Sequence, residues 1–413
     1  LGIGLDTLAE FSIPFDIRVD DGYNALMQKY DFDQLPDRFA SECIKWHFFE
    51  PDVLPMWIAD MDFSVPREVA QALQNRVAHG IFGYAEHLKG LPEVVLAWLE
   101  SKYNWRVNVE DLIFLPGVVV GLNLSAQTLA SPGKALLIQP PIYPPFFSVS
   151  KNAGIPSIES RLLIQENGRY VIDWDRFEFD LINNCGQFLL CNPHNPVGRV
   201  FDRIELERMA EACLKNGVTI CSDEIHSDLV YNGNRHIPIA SLDPEIAANT
   251  ITHMSPSKTF NIPGLDCSFA VIQNPDLRRK FKQARRGLVG SVNLLGMVAA
   301  KTAYQEGLPW LDQLLVYLEC NRNYVYQFVQ EKLPGVRMTL PEGTYLAWLD
   351  CQEAGLELSP CQFFVDHARV GLSDGRIFGP GGVGHVRLNF GCPRPLLEEG
   401  LNRMARALDR FRG

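Results

Sequence analysis

Paired cysteines, basic blocks and long apolar runs are what this sequence does without. Its ten cysteines are scattered over 413 residues, with no Cys-x-x-Cys and none at zinc spacing from the nine histidines. That pattern excludes a disulfide framework and a zinc module, and no metal site is expected. Cys191 and Cys221 fall inside apolar runs, where a thiol is a small hydrophobe. Reduced thiols and a cytoplasmic protein are the expectation. No apolar run is long enough to cross a membrane. No basic segment followed by an apolar core opens the chain, so no signal peptide is expected. The first residue is Leu1 rather than Met, which leaves room for an upstream piece. The 38 basic residues are outnumbered by 49 acidic ones, for a formal net charge of −11. The densest basic cluster, Arg278-Arg279-Lys280 through Arg285-Arg286, has helical spacing and reads as a solvated face. Nucleic acid and anionic membrane are therefore excluded as partners. There is no internal repeat and no low-complexity tract.

What is present is a globular composition, 46% hydrophobic and 21% charged, with length enough for two to three domains. From about residue 91 to 305, helical patterns alternate with short apolar runs, the signature of an α/β domain with a mostly parallel sheet. Before it, Leu54 to Phe63 is a short apolar run ending in two aspartates. Ser64 and Pro66 then mark a helix start, with Val69, Leu73 and Val77 on one face and Gly80 closing it. The glycine-flanked loop Gly80 to Tyr84 presents an aromatic hydroxyl. A long helix is expected over 308–333, strands near 344–349 and 385–390, and helices near 359–369 and 395–411, which together make a smaller α+β domain. The expected division is an N-terminal arm with part of the small domain over 1–65, a large domain over 66–306 and a C-terminal small domain over 307–413. The arm is expected to carry short helices, such as Gly22 to Lys29.

Three apolar runs end in groups that carry chemistry. Gln187 to Cys191 leads into Asn192-Pro193-His194-Asn195-Pro196-Val197-Gly198. Val218 to Cys221 delivers Ser222-Asp223-Glu224-Ile225-His226. Asn249 to Met254 delivers Ser255-Pro256-Ser257-Lys258. Ligands in open α/β sheets bind at the carboxyl ends of strands. The gaps of 28 and 35 residues between Asn195, Asp223 and Lys258 each fit one more strand-helix unit. An amine at such a site suits a Schiff base with an aldehyde. A buried carboxylate there must find a cation or a donor. Gly117 to Ala130 begins with a glycine and continues as an apolar helix, whose first amides form an anion site. Ala135 to Gln139 is a strand followed by a proline-rich turn that carries Tyr143. The chemistry that needs this set is that of pyridoxal 5'-phosphate.

On these stretches, together with Pro55-Met56-Trp57-Ile58-Ala59-Asp60-Met61-Asp62-Phe63, Phe82-Gly83-Tyr84, Ser257-Lys258-Thr259-Phe260-Asn261 and Val386-Arg387-Leu388-Asn389, the chain resembles the fold-type-I pyridoxal-phosphate enzymes of the class I/II aminotransferase family. Within them it is most similar to the cystathionine β-lyase and cysteine C–S lyase branch. The resemblance implies the aspartate aminotransferase fold. It implies that Lys258 carries the cofactor and moves the Cα proton, that Asp223 pairs with the ring nitrogen, and that Asn195 meets the phenolate oxygen. Tyr143 is expected on the ring face. His226 stands where aminotransferases of the class usually place a tyrosine. Gly117, Val118, Val119, Ser255 and Ser257 are expected around the phosphate. Arg387, with Ala59 and Asn195, is expected to hold the substrate carboxylate, and Tyr84 to reach the site of a neighbouring subunit in a homodimer. One departure stands out: Asp266 occupies the position where many aminotransferases carry a phosphate-binding arginine.

The reaction implied is β-elimination from an amino-acid substrate bearing sulfur on Cβ. Transamination on the same scaffold, and a non-catalytic regulatory role, are the alternatives. Gly379-Pro380-Gly381-Gly382-Val383-Gly384 matches a dinucleotide-binding pattern, but it follows no clear strand and leads into a strand rather than a helix, so nucleotide binding is not expected. His194, His226 and His385 lie near the expected site, and two of them are expected to act behind the contacting residues.

Overall fold

The computed structural model describes residues 30–85 and 88–412. Chain contacts divide the molecule after Asp31, and the unit Phe32–Gly413 carries everything described below. The helix expected over Gly22–Lys29 lies outside the described residues.

Seven strands form the central sheet: Leu112–Leu115 (β1), Ala135–Ile138 (β2), Ser157–Glu159 (β3), Cys185–Cys191 (β4), Thr219–Asp223 (β5), Thr250–Met254 (β6) and Ser268–Val271 (β7). Their order is β1-β7-β6-β5-β4-β2-β3. Only β7 runs against the rest. Strands buried on both faces read as continuous apolar runs, and β4 shows why. Phe188 and Leu190 pack into the core on one side of the sheet, while Leu189 and Cys191 pack into the core on the other. β4, β5 and β6 are parallel neighbours, with Cys191 opposite Asp223 and Asp223 opposite His253. The three chemistry-bearing strand ends of the sequence are therefore side by side.

Helix Val118–Leu129 follows β1 and lies on this sheet. At Gly121 an added Cβ would sit 2.4 Å from Nδ1 of His253, whose other ring nitrogen is 2.8 Å from Ser125 Oγ. The helix start is held close to the strands by a residue without a side chain. Asp202 caps helix Arg203–Lys215 through a reciprocal pair with Glu205.

A second, antiparallel sheet contains Arg337–Met338 (β8), Leu346–Asp350 (β9), Ser373–Asp374 (β10) and His385–Asn389 (β11), in the order β8-β9-β11-β10. The long helix spans Leu308–Lys332 and the last one Arg394–Arg412. The expected helix at 359–369 is shorter, Pro360–Phe363, and continues into a wider turn over Phe364–Ala368. Leu54–Pro55 pairs in parallel with Val370–Gly371, which ties the run Leu54 to Phe63 to the C-terminal half. In helix Arg67–Ala78 only Val69 is buried, and Val77 is exposed. Its apolar face is thus covered at Val69, half-covered at Leu73 and open at Val77, with helix Leu294–Glu306 packed against it. The glycines at 379–384 lead directly into β11, so the dinucleotide pattern lacks its helix here too.

Candidate active site

A cavity of about 360 Å³ opens over the carboxyl ends of β4, β5 and β6. Lys258, Asp223, Asn195, His226, Tyr143, Ala59, Ser255, Ser257, Gly117, Val118 and Val119 all line it. Arg387 and Tyr84 do not. Arg387 stands behind Asn195 and donates to it, while Tyr84 projects fully into solvent.

Each of the lining groups is placed by its local chain. Lys258 lies in the single helical turn Pro256–Thr259, which Ser255 caps by accepting from the Ser257 amide at 3.0 Å. Its amine donates to the Ala59 carbonyl at 2.5 Å. Burial lowers Lys258 to about 8, against the pull of Asp60. Asp223 ends β5 and accepts one hydrogen bond, 3.1 Å from the Ile225 amide. Burial pushes its carboxyl up to about 7, with the Ile225 amide opposing. His226 is buried with Nδ1 unpartnered, and burial lowers it to about 3, so it is a neutral ring. Tyr143 sits on the turn after β2, where Ile142 donates to the Phe378 carbonyl and Pro141 meets His194 Nε2 at 2.9 Å. Burial lowers His194 to about 4, so it too is neutral.

The helix Val118–Leu129 has no side-chain cap, and its first amides point to the cavity end of β1 without intrahelical partners. Ser257 lines the same cavity, and its hydroxyl has no hydrogen-bond partner among the described residues. Ser255 differs from expectation: its hydroxyl donates to the Cys267 carbonyl at 2.8 Å, so it is a cap rather than a free donor. Asp266 also lines the cavity, at a left-handed φ of 49°.

The run Trp57 to Phe63 is the best-fastened loop of the site. Asn389 Nδ2 donates to the carbonyls of Ile58 and Asp60, both at 2.6 Å. Asn261 brackets Met61 and Phe63. Ser373 Oγ and Arg387 Nη2 both donate to the Trp57 carbonyl, at 2.7 and 2.9 Å. Beneath the loop, Lys45 and Asp62 form a fully buried ion pair at 2.7 Å, joined by Arg38 and Trp46. Sequence reasoning missed Lys45, Ser373 and Tyr345, because residues of the loop's support carry no motif of their own. Asn261 and Asn389 sat inside motifs already quoted, yet nothing in their spacing pointed to the loop they hold.

Arg387 is buried, and burial lowers it to about 10, still charged at neutral pH. Three of its five N–H groups are engaged, by Asn195, Trp57 and Ser373, and Nε has no partner.

These donors fit pyridoxal phosphate. An amine and a half-satisfied buried carboxylate sit in one cavity, and free helix amides with a free hydroxyl lie at its end. The lining residues include no arginine, and Asp266 adds a negative group.

Comparison with known proteins points the same way. The profile of the family Aminotransferase class I and II matches residues 51–404. Cystathionine beta-lyase PatB of Bacillus subtilis is 40% identical over 92% of this chain and 100% of its own. The crystal structure of OvoB superposes with a TM-score of 0.88 at 45% identity, over 92% of this chain and 99% of that one. Cystalysin from Treponema denticola, whose structure contains pyridoxal 5'-phosphate, superposes with a TM-score of 0.89 at 32% identity, over 92% and 99%.

Proposed function

Because the chain belongs to the aminotransferase class I and II family, we propose that it is a pyridoxal-phosphate-dependent carbon–sulfur β-lyase. It cleaves cystathionine or another S-substituted L-cysteine to pyruvate, ammonia and a thiol. The observation that carries this reading is the meeting of Lys258 and Asp223 in one cavity, in a chain whose relatives are named cystathionine β-lyases.

Bound pyridoxal phosphate supplies a protonated aromatic ring that takes up the electron pair left on the substrate's Cα. Asp223 keeps the proton on the ring nitrogen, because a buried carboxylate with one open oxygen is stabilised by an N–H donor. The amides of Val118 and Val119 and the hydroxyl of Ser257 hold the phosphate, with Gly117 at the helix cap and Ser255 fixing the Ser257 turn. Tyr143 would lie on the ring face, with neutral His226 lining the same cavity as Lys258. Asn195 would offer its amide nitrogen to the phenolate oxygen. Arg387 holds the substrate carboxylate, supported by the Ala59 loop. Lys258, which burial keeps near neutrality, takes the Cα proton, and the thiolate leaves from Cβ.

The exposed apolar run Val77, Ile81, Phe82 and Tyr84 supports a homodimer in which Tyr84 completes the partner's site. Among the described residues no helix is long and apolar enough to cross a membrane, and all ten cysteines are free, which supports a cytoplasmic enzyme. The two sheets support a large domain over 66–306 and a small domain over 307–413 joined by part of 1–65.

Aminotransferase activity is the second reading, because one fold hosts both reactions and the family carries that description. The deciding experiment supplies L-cystathionine and S-substituted cysteines with no keto acid present. Continuous release of pyruvate and thiol over many turnovers supports the lyase. A single turnover that restarts only when a keto acid is added transfers the assignment to the aminotransferase.

A further inference from the structure

The carbonyl oxygen of Ala59 receives two donors, Lys258 Nζ at 2.5 Å and Tyr345 Oη at 2.8 Å. A carbonyl has two lone pairs, so this oxygen is filled. Nor can it turn away. The Ile58 and Asp60 carbonyls on either side are both held by Asn389. Tyr345 is fixed as well: it is 1% exposed, it directly precedes β9, and its ring meets that of His226 edge-on at 5.9 Å. Burial raises its phenol well above the usual value, so it is a neutral donor at every working pH.

We propose that the Ala59 carbonyl is the docking point of the free Lys258 amine. Tyr345 is then a positioning residue that keeps this amine neutral by donating to the same oxygen. The inference rests on the reading of Lys258 as the group that takes the Cα proton. An amine that gives one N–H to Ala59 directs its lone pair elsewhere, and the cavity is the open side. An ammonium gains more from a carbonyl than a neutral amine does, because charged hydrogen bonds are the stronger ones. A second donor on that oxygen draws off the electron density an ammonium would use. The other charged and titratable groups facing Lys258 set the background against which this acts. Asp60 and Asp223 favour the ammonium, Arg387 opposes it, and His226 is uncharged. Tyr143 lines the same cavity as a neutral phenol, raised by burial. With two carboxylates nearby, burial and the Arg387 charge must hold the amine down, and the sharing of Ala59 adds to them.

The test reads Lys258 itself. The full chain stripped of cofactor is labelled with a trace acylating reagent across pH, and the Lys258 peptide is quantified by mass spectrometry. Tyr345→Phe should move the labelling midpoint upward by about 0.5–1 pH unit, and Tyr345→Leu, which also removes the hydroxyl, should move it in the same direction. In the holoenzyme, where substrate must first release Lys258 from the cofactor, the midpoint of the acid limb of kcat should rise by the same amount. The deficit would then be roughly three- to tenfold near neutral pH and would shrink in alkali. An unchanged or lowered midpoint in both variants overturns the proposal, as does a loss of activity equal at all pH values, which would make Tyr345 a packing residue. Loss of the lyase reading would show instead as no turnover of any cysteine conjugate by the unmodified enzyme, with the labelling shift intact.

Discussion

Asn195 Oδ1 accepts a 2.9 Å hydrogen bond from Arg387 Nη1, joining residues 192 positions apart. A guanidinium only donates, so this contact fixes which end of the Asn195 amide is oxygen. The amide nitrogen is left for the cavity. On the roles proposed for them, substrate grip and cofactor contact are one assembly.

Arg387→Lys should raise KM and lower kcat/KM while cofactor absorbance stays unchanged. A lysine cannot bond Asn195, Trp57 and a carboxylate together in the guanidinium's geometry. Loss of one charged hydrogen bond costs about 2 kcal/mol, a roughly thirtyfold effect. Steady-state kinetics with free acids and methyl esters check it: equal use of esters by the unmodified enzyme would remove Arg387 from substrate binding.

Asp223→Asn should keep much of the cofactor and lose most of the rate, since a neutral ring nitrogen is a poor electron sink. It should also change how stability depends on pH in the cofactor-free chain. The folded pKa of Asp223, about 7, lies above its unfolded value near 3.8. The folded state therefore binds the extra proton, and this group's contribution is full below the unfolded value and lost as pH rises to about 7. Asp223→Asn should flatten that decline in urea midpoints measured between about pH 4 and 7. An unchanged slope would mean that the carboxylate finds a partner without the cofactor.

Lys45→Met should destabilise the protein by about 2–3 kcal/mol, because it takes from buried Asp62 the nearer of its two cations and leaves Arg38 and Trp46 as its partners. Denaturant midpoints measure this. The loss should be smaller in a Lys45→Met, Asp62→Leu double variant, and a double variant no more stable than the single one would show that the pair is not what matters.

A Tyr84→Phe protomer and a Lys258→Ala protomer should each form weak homodimers in catalytic terms, while their mixed dimer regains part of the activity. That outcome requires Tyr84 to act in the partner's site. An inactive, verified heterodimer would return Tyr84 to its own chain or to the surface.

The strand ends were legible because buried parallel strands leave unbroken apolar runs and the groups they deliver follow at once. Asn195, Asp223 and Lys258 stood out for that reason and lie on adjacent strands. Helix boundaries shifted by a residue or two, as at Val118–Leu129. Ser255 was read as a free hydroxyl because sequence does not reveal a competing acceptor, here the Cys267 carbonyl. The shared face of Val69, Leu73 and Val77 was legible, but not that Val77 is exposed, because periodicity marks an apolar stripe without saying what covers it. Tyr345 escaped notice entirely. Its contact is with a backbone atom 286 residues away, and no pattern in the chain encodes a main-chain acceptor.

Gly121 has an evolutionary consequence. The cavity meets the first turn of its helix through main-chain amides, so the exposed side chain at 119 is open to drift as long as the helix starts in place, while Val118 and Val120 are held by the cores they pack into. Position 121 is not open to drift. A methyl group there would stand 2.4 Å from His253, against the ~3.5–4.0 Å of an ordinary contact. It would push the amides away from the strand that leads to Lys258. Lineages can thus rewrite position 119 while 121 stays fixed, and compensation at 121 would have to begin with a smaller side chain at 253.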